Sequence, residues 1–120
     1  MTRAPGHPAV THGGATLRIT QEAEGSGWTL KLDGELDMAS APALSTVVSS
    51  LAPDATKVIL DMSNLSFMDS SGLALILRLR RVCRRNDCGL LLLSPHPCVL
   101  HLLDVSGLRA PMRELGLLAE

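Results

Sequence analysis

The stretch VILDMSNLSFMDSSGL, residues 58–73, decides the fold of this chain of 120 residues. It starts with a continuous apolar run, Val58–Leu60, which is typical of a strand buried on both faces, so we predict a central strand there. A helix is predicted to follow, from about Ser71 to Arg85. The apolar stripe of that helix consists of Gly72, Leu75, Ile76, Leu79, Val82 and Cys83.

Upstream of this stretch the sequence predicts a β-hairpin and then a helix. Apolar residues alternate with polar ones over Thr16–Thr20 and over Trp28–Leu32, on either side of a Gly-rich turn. Ser40 is placed to cap a helix over about residues 40–51, and Pro42 lies in its first turn, where a missing amide proton costs little.

Downstream the alternation of helices and strands continues. Gly89 is expected to end the second helix, and Leu90–Leu93 predicts another buried strand. A third helix is predicted from about Pro97 to Val105, closed by Gly107 in a left-handed cap. This order of elements predicts an α/β fold with a mixed β-sheet and helices packed on it.

Composition limits the domain count, the location and the partners. Residues 1–15 are rich in Pro, Gly and small residues, so we predict a flexible tail there and one folded domain over residues 16–120. The start of the chain lacks the apolar run of a signal peptide, and no run is long enough for a membrane span, which predicts a cytoplasmic protein. A net charge of -1, one Trp and no Tyr argue against a direct nucleic-acid partner.

The cysteines and histidines do not predict a disulfide or a metal site. Cys83, Cys88 and Cys98 are odd in number and contain no CxxC pair, which indicates reduced thiols. The spacing of His96, Cys98 and His101 does not match a zinc pattern, and no glycine-rich phosphate loop is present, so we expect no metal and no cofactor.

Ser70 and Ser71 fall at the turn between the central strand and the second helix, where an α/β sheet presents its functional groups. The first amides of a helix lack partners and the helix dipole is positive there, so a phosphate would be tolerated. The alternative is that Asp-Ser-Ser before an apolar run simply caps the helix, and the two interpretations are compatible. The chain has no Gly-x-Ser-x-Gly elbow and no well-placed histidine base, so no catalytic residue is predicted.

Four motifs occur in a fixed order: LDGELD at residues 32–37, ILDM at 59–62, LSFMDSSGL at 65–73 and LLDVSGL at 102–108. In this order they resemble the STAS family, and more narrowly the bacterial anti-sigma-factor antagonists, over about residues 16–108. The resemblance implies a sheet of four to five strands flanked by helices. It also implies a protein that is not an enzyme and that binds an anti-sigma factor, thereby freeing a sigma factor. In that family the anti-sigma factor is also the serine kinase, and a protein serine phosphatase reverses the modification.

The resemblance also assigns roles to residues. The family's phosphorylated serine directly follows the Asp of the Asp-Ser-Ser-Gly motif, which is Ser70 here, with Ser71 as the second choice. Asp37, from the Gly-Glu-Leu-Asp motif, is expected near the same surface. The expected partner-binding residues are Asp37, Asp69, Ser70, Ser71, Gly72, Leu73 and Leu77.

Two of these expectations rest on the sequence pattern around the serines. A phosphate on Ser70 would add negative charge beside Asp69, with Asp37 and Asp61 as further neighbours, and so would repel a partner fitted to the neutral hydroxyl. Leu73 and Leu77, four residues apart, are candidates for apolar contacts with that partner, the alternative being that they pack under a neighbouring element.

Other interpretations stay open. The domain could serve as a non-phosphorylated scaffold or a small-ligand module in a larger assembly. The arginines of the second helix, from Arg78 to Arg85, could bind an acidic partner or could form a solvated face. Pro111 lies where relatives continue with a strand, so the last strand is expected to be missing or marginal.

Overall fold

The computed structural model describes residues 10–13 and 16–118. Residues 10–13, which the sequence assigned to the flexible tail, form a strand, so that part of the prediction is wrong. This strand is defined by pairing with its neighbour, Val10 opposite Gln21 and Gly13 opposite Arg18. Backbone pairing needs no apolar repeat, which is why the composition did not predict it. The rest of the predicted tail lies outside the described residues.

The described residues form five strands, four α-helices and one 3₁₀ turn. In chain order they are β1 (Val10–Gly13), β2 (Leu17–Glu24), β3 (Gly27–Leu36), α1 (Ala41–Leu51), the 3₁₀ turn (Ala52–Asp54), β4 (Lys57–Met68), α2 (Ser70–Arg85), β5 (Gly89–Leu93), α3 (Pro97–Val105) and α4 (Arg109–Glu114). The predicted hairpin and the three predicted helices, α1, α2 and α3, are confirmed.

The strands form one mixed sheet in the order β1-β2-β3-β4-β5. The first three strands are antiparallel, while β3, β4 and β5 are parallel. Parallel neighbours need a crossover, which α1 supplies between β3 and β4 and α2 supplies between β4 and β5. The predicted α/β fold, a mixed sheet of four to five strands flanked by helices, is confirmed.

β4 is the strand predicted from the apolar run. It lies inside the sheet, between β3 and β5, but the middle strand of the five is β3, so the predicted central position is only partly correct. Val58, Leu60 and Met62 are each 0% exposed and form the buried face of the strand. Ile59 on the other face is half-buried, so the predicted burial of both faces is only partly correct. The apolar run therefore predicted the position of the strand, but it did not predict the length of the strand or the partial exposure of its other face.

α2 spans 16 residues and packs its apolar stripe into the core and against α1. Of the predicted stripe, Val82 alone is half-buried, and the other members are buried. Within the described part of the chain, no helix has both the length and the apolar character needed to cross a membrane.

The predicted bounds of α1 and α2 agree with the structure, but two of the predicted caps do not. Ser40 stands before α1, but it makes no side-chain cap hydrogen bond to that helix, and its hydroxyl lies 2.8 Å from the Glu35 carbonyl oxygen. α2 is closed by Asp87 and not by Gly89, since Asp87 adopts a φ of 54° and the Cys88 amide donates to the Cys83 carbonyl at 2.8 Å. An Asp tolerates the left-handed region because its short polar side chain bonds locally.

The chain after α3 follows the prediction more closely. Gly107 closes α3 with a φ of 70°, as expected. Pro111 lies inside the short helix α4, and Leu118 makes only a single bridge with Leu92. The expectation of a marginal last strand is confirmed for the residues up to 118.

Candidate phosphorylation site and partner surface

β3 and β4 end side by side at the edge of the sheet where the site lies. Leu36 is the register partner of Met68, and the Asp69 amide donates to the Leu36 carbonyl oxygen at 3.4 Å. Asp37 and Asp69 are the next residues on these two parallel strands, so they begin neighbouring turns. The expectation that Asp37 lies near the serines therefore agrees with the position that the strands give it.

Asp69 caps α2. Its Oδ1 accepts hydrogen bonds from the Ser71 amide at 2.9 Å and from the Gly72 amide at 3.2 Å, and also from the Ser71 hydroxyl. The hydrogen bond from the Ser71 hydroxyl is the main cause that lowers the pKa of the Asp69 carboxyl, and partial burial opposes it. The alternative that Asp-Ser-Ser caps the helix is thus confirmed, with the Asp69 carboxylate as the acceptor and the Ser71 hydroxyl as a donor to it.

The two candidate serines differ in exposure and in bonding. Ser70 is the first residue of α2 and is exposed, and its hydroxyl makes no hydrogen bond to any residue that the structure describes. Ser71 is half-buried and donates its hydroxyl to Asp69. Ser70 is therefore the more accessible of the two hydroxyls.

Gly72 and Leu73 lie in the core, which changes the roles predicted for them. A Cβ on Gly72 would stand 2.9 Å from the Leu36 carbonyl oxygen and 2.7 Å from Met68 Cγ, so glycine lets α2 begin close against β3. Leu73 is 6% exposed. Neither residue is accessible to a partner. Of the two leucines predicted as apolar contacts, only Leu77 remains accessible, and it is half-buried.

The turn after β3 is fixed by its own hydrogen bonds. Asp37 Oδ1 accepts from the amides of Ala39 and Ser40, each at 3.0 Å, and the Asp37 amide donates to the Ser40 hydroxyl at 3.0 Å. Ser40 is 5% exposed, so this bonding holds the turn rigidly. Met38 at its tip is 78% exposed, an apolar surface residue that the motif pattern did not single out.

Asp61 does not belong to this cluster. It is paired with Lys31 in the middle of β4, whereas Met68 ends the strand seven positions later, a span of roughly 20 Å for an extended chain. Its Oδ1 accepts hydrogen bonds from the amide and the hydroxyl of Ser63. The prediction that Asp61 adds to the charge around Ser70 is therefore wrong, because the strand is longer than its apolar run.

The residues weighed as metal ligands stabilise α3. His96 Nδ1 accepts a hydrogen bond from the Cys98 amide at 3.2 Å, which caps the helix, and Cys98 Sγ lies 3.4 Å from the Leu65 carbonyl oxygen. Over the described residues, no group of three or more His, Cys, Asp or Glu side chains could hold a metal ion.

A shallow groove of about 400 Å³ adjoins the serine site. It lies along α1 and α2, and we call it the serine groove. The residues that line it are Met38, Ala41, Pro42, Ser45, Ser71, Ala74 and Arg78. The exposed Met38 and the start of α2 thus share one concave surface beside Ser70.

Comparison with known proteins places this geometry in a family. Residues 18–115 match the STAS domain. The anti-sigma-B factor antagonist of Staphylococcus aureus is 29% identical over 94 residues, which cover 78% of this chain and 87% of that protein. The anti-sigma factor antagonist SpoIIAA in its unphosphorylated form is 26% identical with a TM-score of 0.63, over 82% of this chain and 96% of that chain.

The Bacillus cell fate determinant SpoIIAA has also been solved in its phosphorylated form. It is 25% identical to this chain with a TM-score of 0.61, over 84% of this chain and 88% of that one. The family match and the structural similarity each cover most of this chain. The chain therefore belongs to the STAS domain family, and its relatives are anti-sigma-factor antagonists.

Proposed function

We propose that this chain is an anti-sigma-factor antagonist that is switched off by phosphorylation of Ser70. The unmodified chain binds an anti-sigma factor that is also a serine kinase, and so frees a sigma factor. The kinase transfers phosphate to Ser70, the complex dissociates, and a protein serine phosphatase restores the hydroxyl. This chain performs no catalytic step of its own in the cycle.

The observation that carries the proposal is the contrast between the two serines. Ser70 is exposed and its oxygen is unengaged by the residues described, whereas Ser71 is half-buried and its hydroxyl is bound by Asp69. A kinase needs an accessible hydroxyl whose oxygen can be positioned for in-line attack. Ser70 meets that requirement without any rearrangement of α2.

The start of α2 also indicates how a phosphate would act. Asp69 already accepts hydrogen bonds from the Ser71 and Gly72 amides, so these amides are occupied before any phosphate arrives. A phosphate on Ser70 would carry a charge of about -1.5 to -2 next to this carboxylate, and would be directed outward into the partner surface. This differs from the sequence-based expectation that the helix amides would receive the phosphate.

A partner fitted to the neutral hydroxyl would have to bury this charge without a counter-ion. An unpaired charge in an interface costs several kcal/mol, which corresponds to about a thousandfold loss of affinity. This chain resembles the unphosphorylated and the phosphorylated SpoIIAA to a similar degree, with TM-scores of 0.63 and 0.61. That similarity supports a modification that changes the surface and leaves the fold intact.

Titration calorimetry with the anti-sigma factor encoded nearest to this chain tests the proposal. We expect Ser70→Ala to bind within about threefold of the wild type, and Ser70→Asp to bind at least about a hundredfold more weakly. Ser71→Ala is the matched control, since it removes a neighbouring hydroxyl and should not abolish binding. Equal affinities for Ser70→Ala and Ser70→Asp would refute the charge switch.

A further inference from the structure

The second half of α2 carries a cluster of basic residues, of which Arg80 is half-buried and the others are exposed. The cluster consists of Arg78, Arg80, Arg81, Arg84 and Arg85. A solvated helix face usually pairs basic with acidic residues three or four apart, yet α2 contains no Asp or Glu. Within the described residues, the ion pairs Lys31–Glu22 and Arg109–Asp104 do not involve any of the five.

The helix dipole accounts for only part of the cluster. Arg84 and Arg85 lie in the last turn, where positive charge is favourable. Arg78, Arg80 and Arg81 lie before the last turn, where the dipole favours positive charge less. These three therefore need another source of stabilising negative charge, or they repel one another in the free protein.

The same three arginines line a second groove, of about 480 Å³, which we call the arginine groove. The other residues that line it are Ala74, Leu77 and Leu115. Leu115 is 50% exposed, so the groove combines an accessible apolar side chain with the guanidinium groups. Ala74 and Arg78 line the serine groove as well, so the two grooves adjoin each other along α2.

We propose that the arginine groove binds an acidic, amphipathic segment of the same anti-sigma factor that contacts Ser70. The inference rests on the proposed function, because the two grooves adjoin each other and so can be covered by one partner. Guanidinium groups bind carboxylates through paired hydrogen bonds, and the leucines receive the apolar side of such a segment. A nucleic-acid backbone would match the arginines but would leave Leu77 and Leu115 without an apolar partner.

The two ends of this surface act independently. Ser70 and Arg81 are eleven helical residues apart, which is roughly 16 Å and exceeds the Debye length of about 8 Å at physiological salt. Phosphate on Ser70 therefore removes one end of the contact while the arginine end still attracts the partner. The exposed arginines act mainly on the association rate, because they attract the partner before contact.

The test compares Arg81→Glu with Lys57→Glu. Both residues are exposed and both variants change the net charge equally, but Lys57 begins β4 and lines neither groove. Stopped-flow binding to the anti-sigma factor should show association about tenfold slower for Arg81→Glu at about 0.05 M salt, and less than about threefold slower at about 0.5 M. Lys57→Glu should stay within about twofold of the wild type at both salt concentrations.

Each result supports or overturns the inference. Equal association rates for Arg81→Glu and Lys57→Glu would overturn it, and the proposed function would stand if Ser70→Asp still lost binding. Absence of binding by the wild type would overturn both. Retention of a duplex DNA probe by the wild type but not by Arg81→Glu would assign the groove to nucleic acid and overturn the acidic-segment inference. Circular-dichroism melting of both variants checks that they fold.

Discussion

Replacing Asp69 by alanine removes one carboxylate that organises the start of α2. Its Oδ1 accepts hydrogen bonds from two backbone amides and from the Ser71 hydroxyl. Loss of an N-cap side chain costs about 1–2 kcal/mol, and water can reach this half-buried site, so we expect about 1.5 kcal/mol. For a chain of this size that lowers the melting temperature by roughly 3–8 °C, which a thermal melt at neutral pH measures.

Asp69→Asn separates the cap from the charge. Asparagine caps helices about as well as aspartate, so this variant should lie within about 0.5 kcal/mol of the wild type. In Asp69→Ala the Ser71 hydroxyl loses its acceptor, and we expect the kinase to add phosphate to Ser71 as well as to Ser70. An Asp69→Ala protein that melts with the wild type, or is modified on Ser70 alone, would refute the account of this turn.

Three further predictions concern the scaffold. Gly34→Ala should lower the free energy of unfolding in urea by at least about 3 kcal/mol. The reason is that Gly34 has a φ of 120° and that a Cβ there would clash with the Thr16 carbonyl oxygen. An unchanged urea midpoint would contradict this. Ser40→Ala should cost about 1–3 kcal/mol in the same assay, because the Glu35 carbonyl loses its buried donor. The pKa of the Asp69 carboxyl lies below its ordinary 3.8, so the stability that its charged form contributes is complete above about pH 5 and is lost as pH falls through the folded pKa. Between about pH 6 and pH 3 the wild type should therefore lose more stability than Asp69→Asn.

Most of the helices and strands could be predicted from periodic patterns in the sequence. The hairpin, α1, α2 and α3 follow from alternation or from a helical stripe, because burial of one face imposes these repeats on the sequence. β1 has no such repeat, since it is defined by backbone pairing with β2. Asp87 closes α2 for a similar reason, because its left-handed backbone leaves no mark on the apolar pattern.

The sequence predicted where the candidate site lies along the chain. It did not predict which side chains there are bonded or buried. Ser70 and Asp37 follow from the motifs and from the common edge at which β3 and β4 end. The motif did not predict that Asp69 accepts a hydrogen bond from the Ser71 hydroxyl, because Asp and Ser are both common helix caps and the sequence does not show which of them accepts. The choice between a partner contact and a packed position for Leu73 stayed open, because helical spacing defines a face but does not tell which element covers it. The structure shows that Leu73 is buried.

The most direct test of the central claim is to locate the phosphate after the wild-type chain reacts with the anti-sigma factor and ATP. Fragmentation mass spectrometry of the peptide that contains both serines distinguishes Ser70 from Ser71. The account predicts a single phosphate on Ser70, together with loss of the complex in the same reaction mixture. Phosphate on Ser71, or a complex that survives complete modification of Ser70, would contradict it.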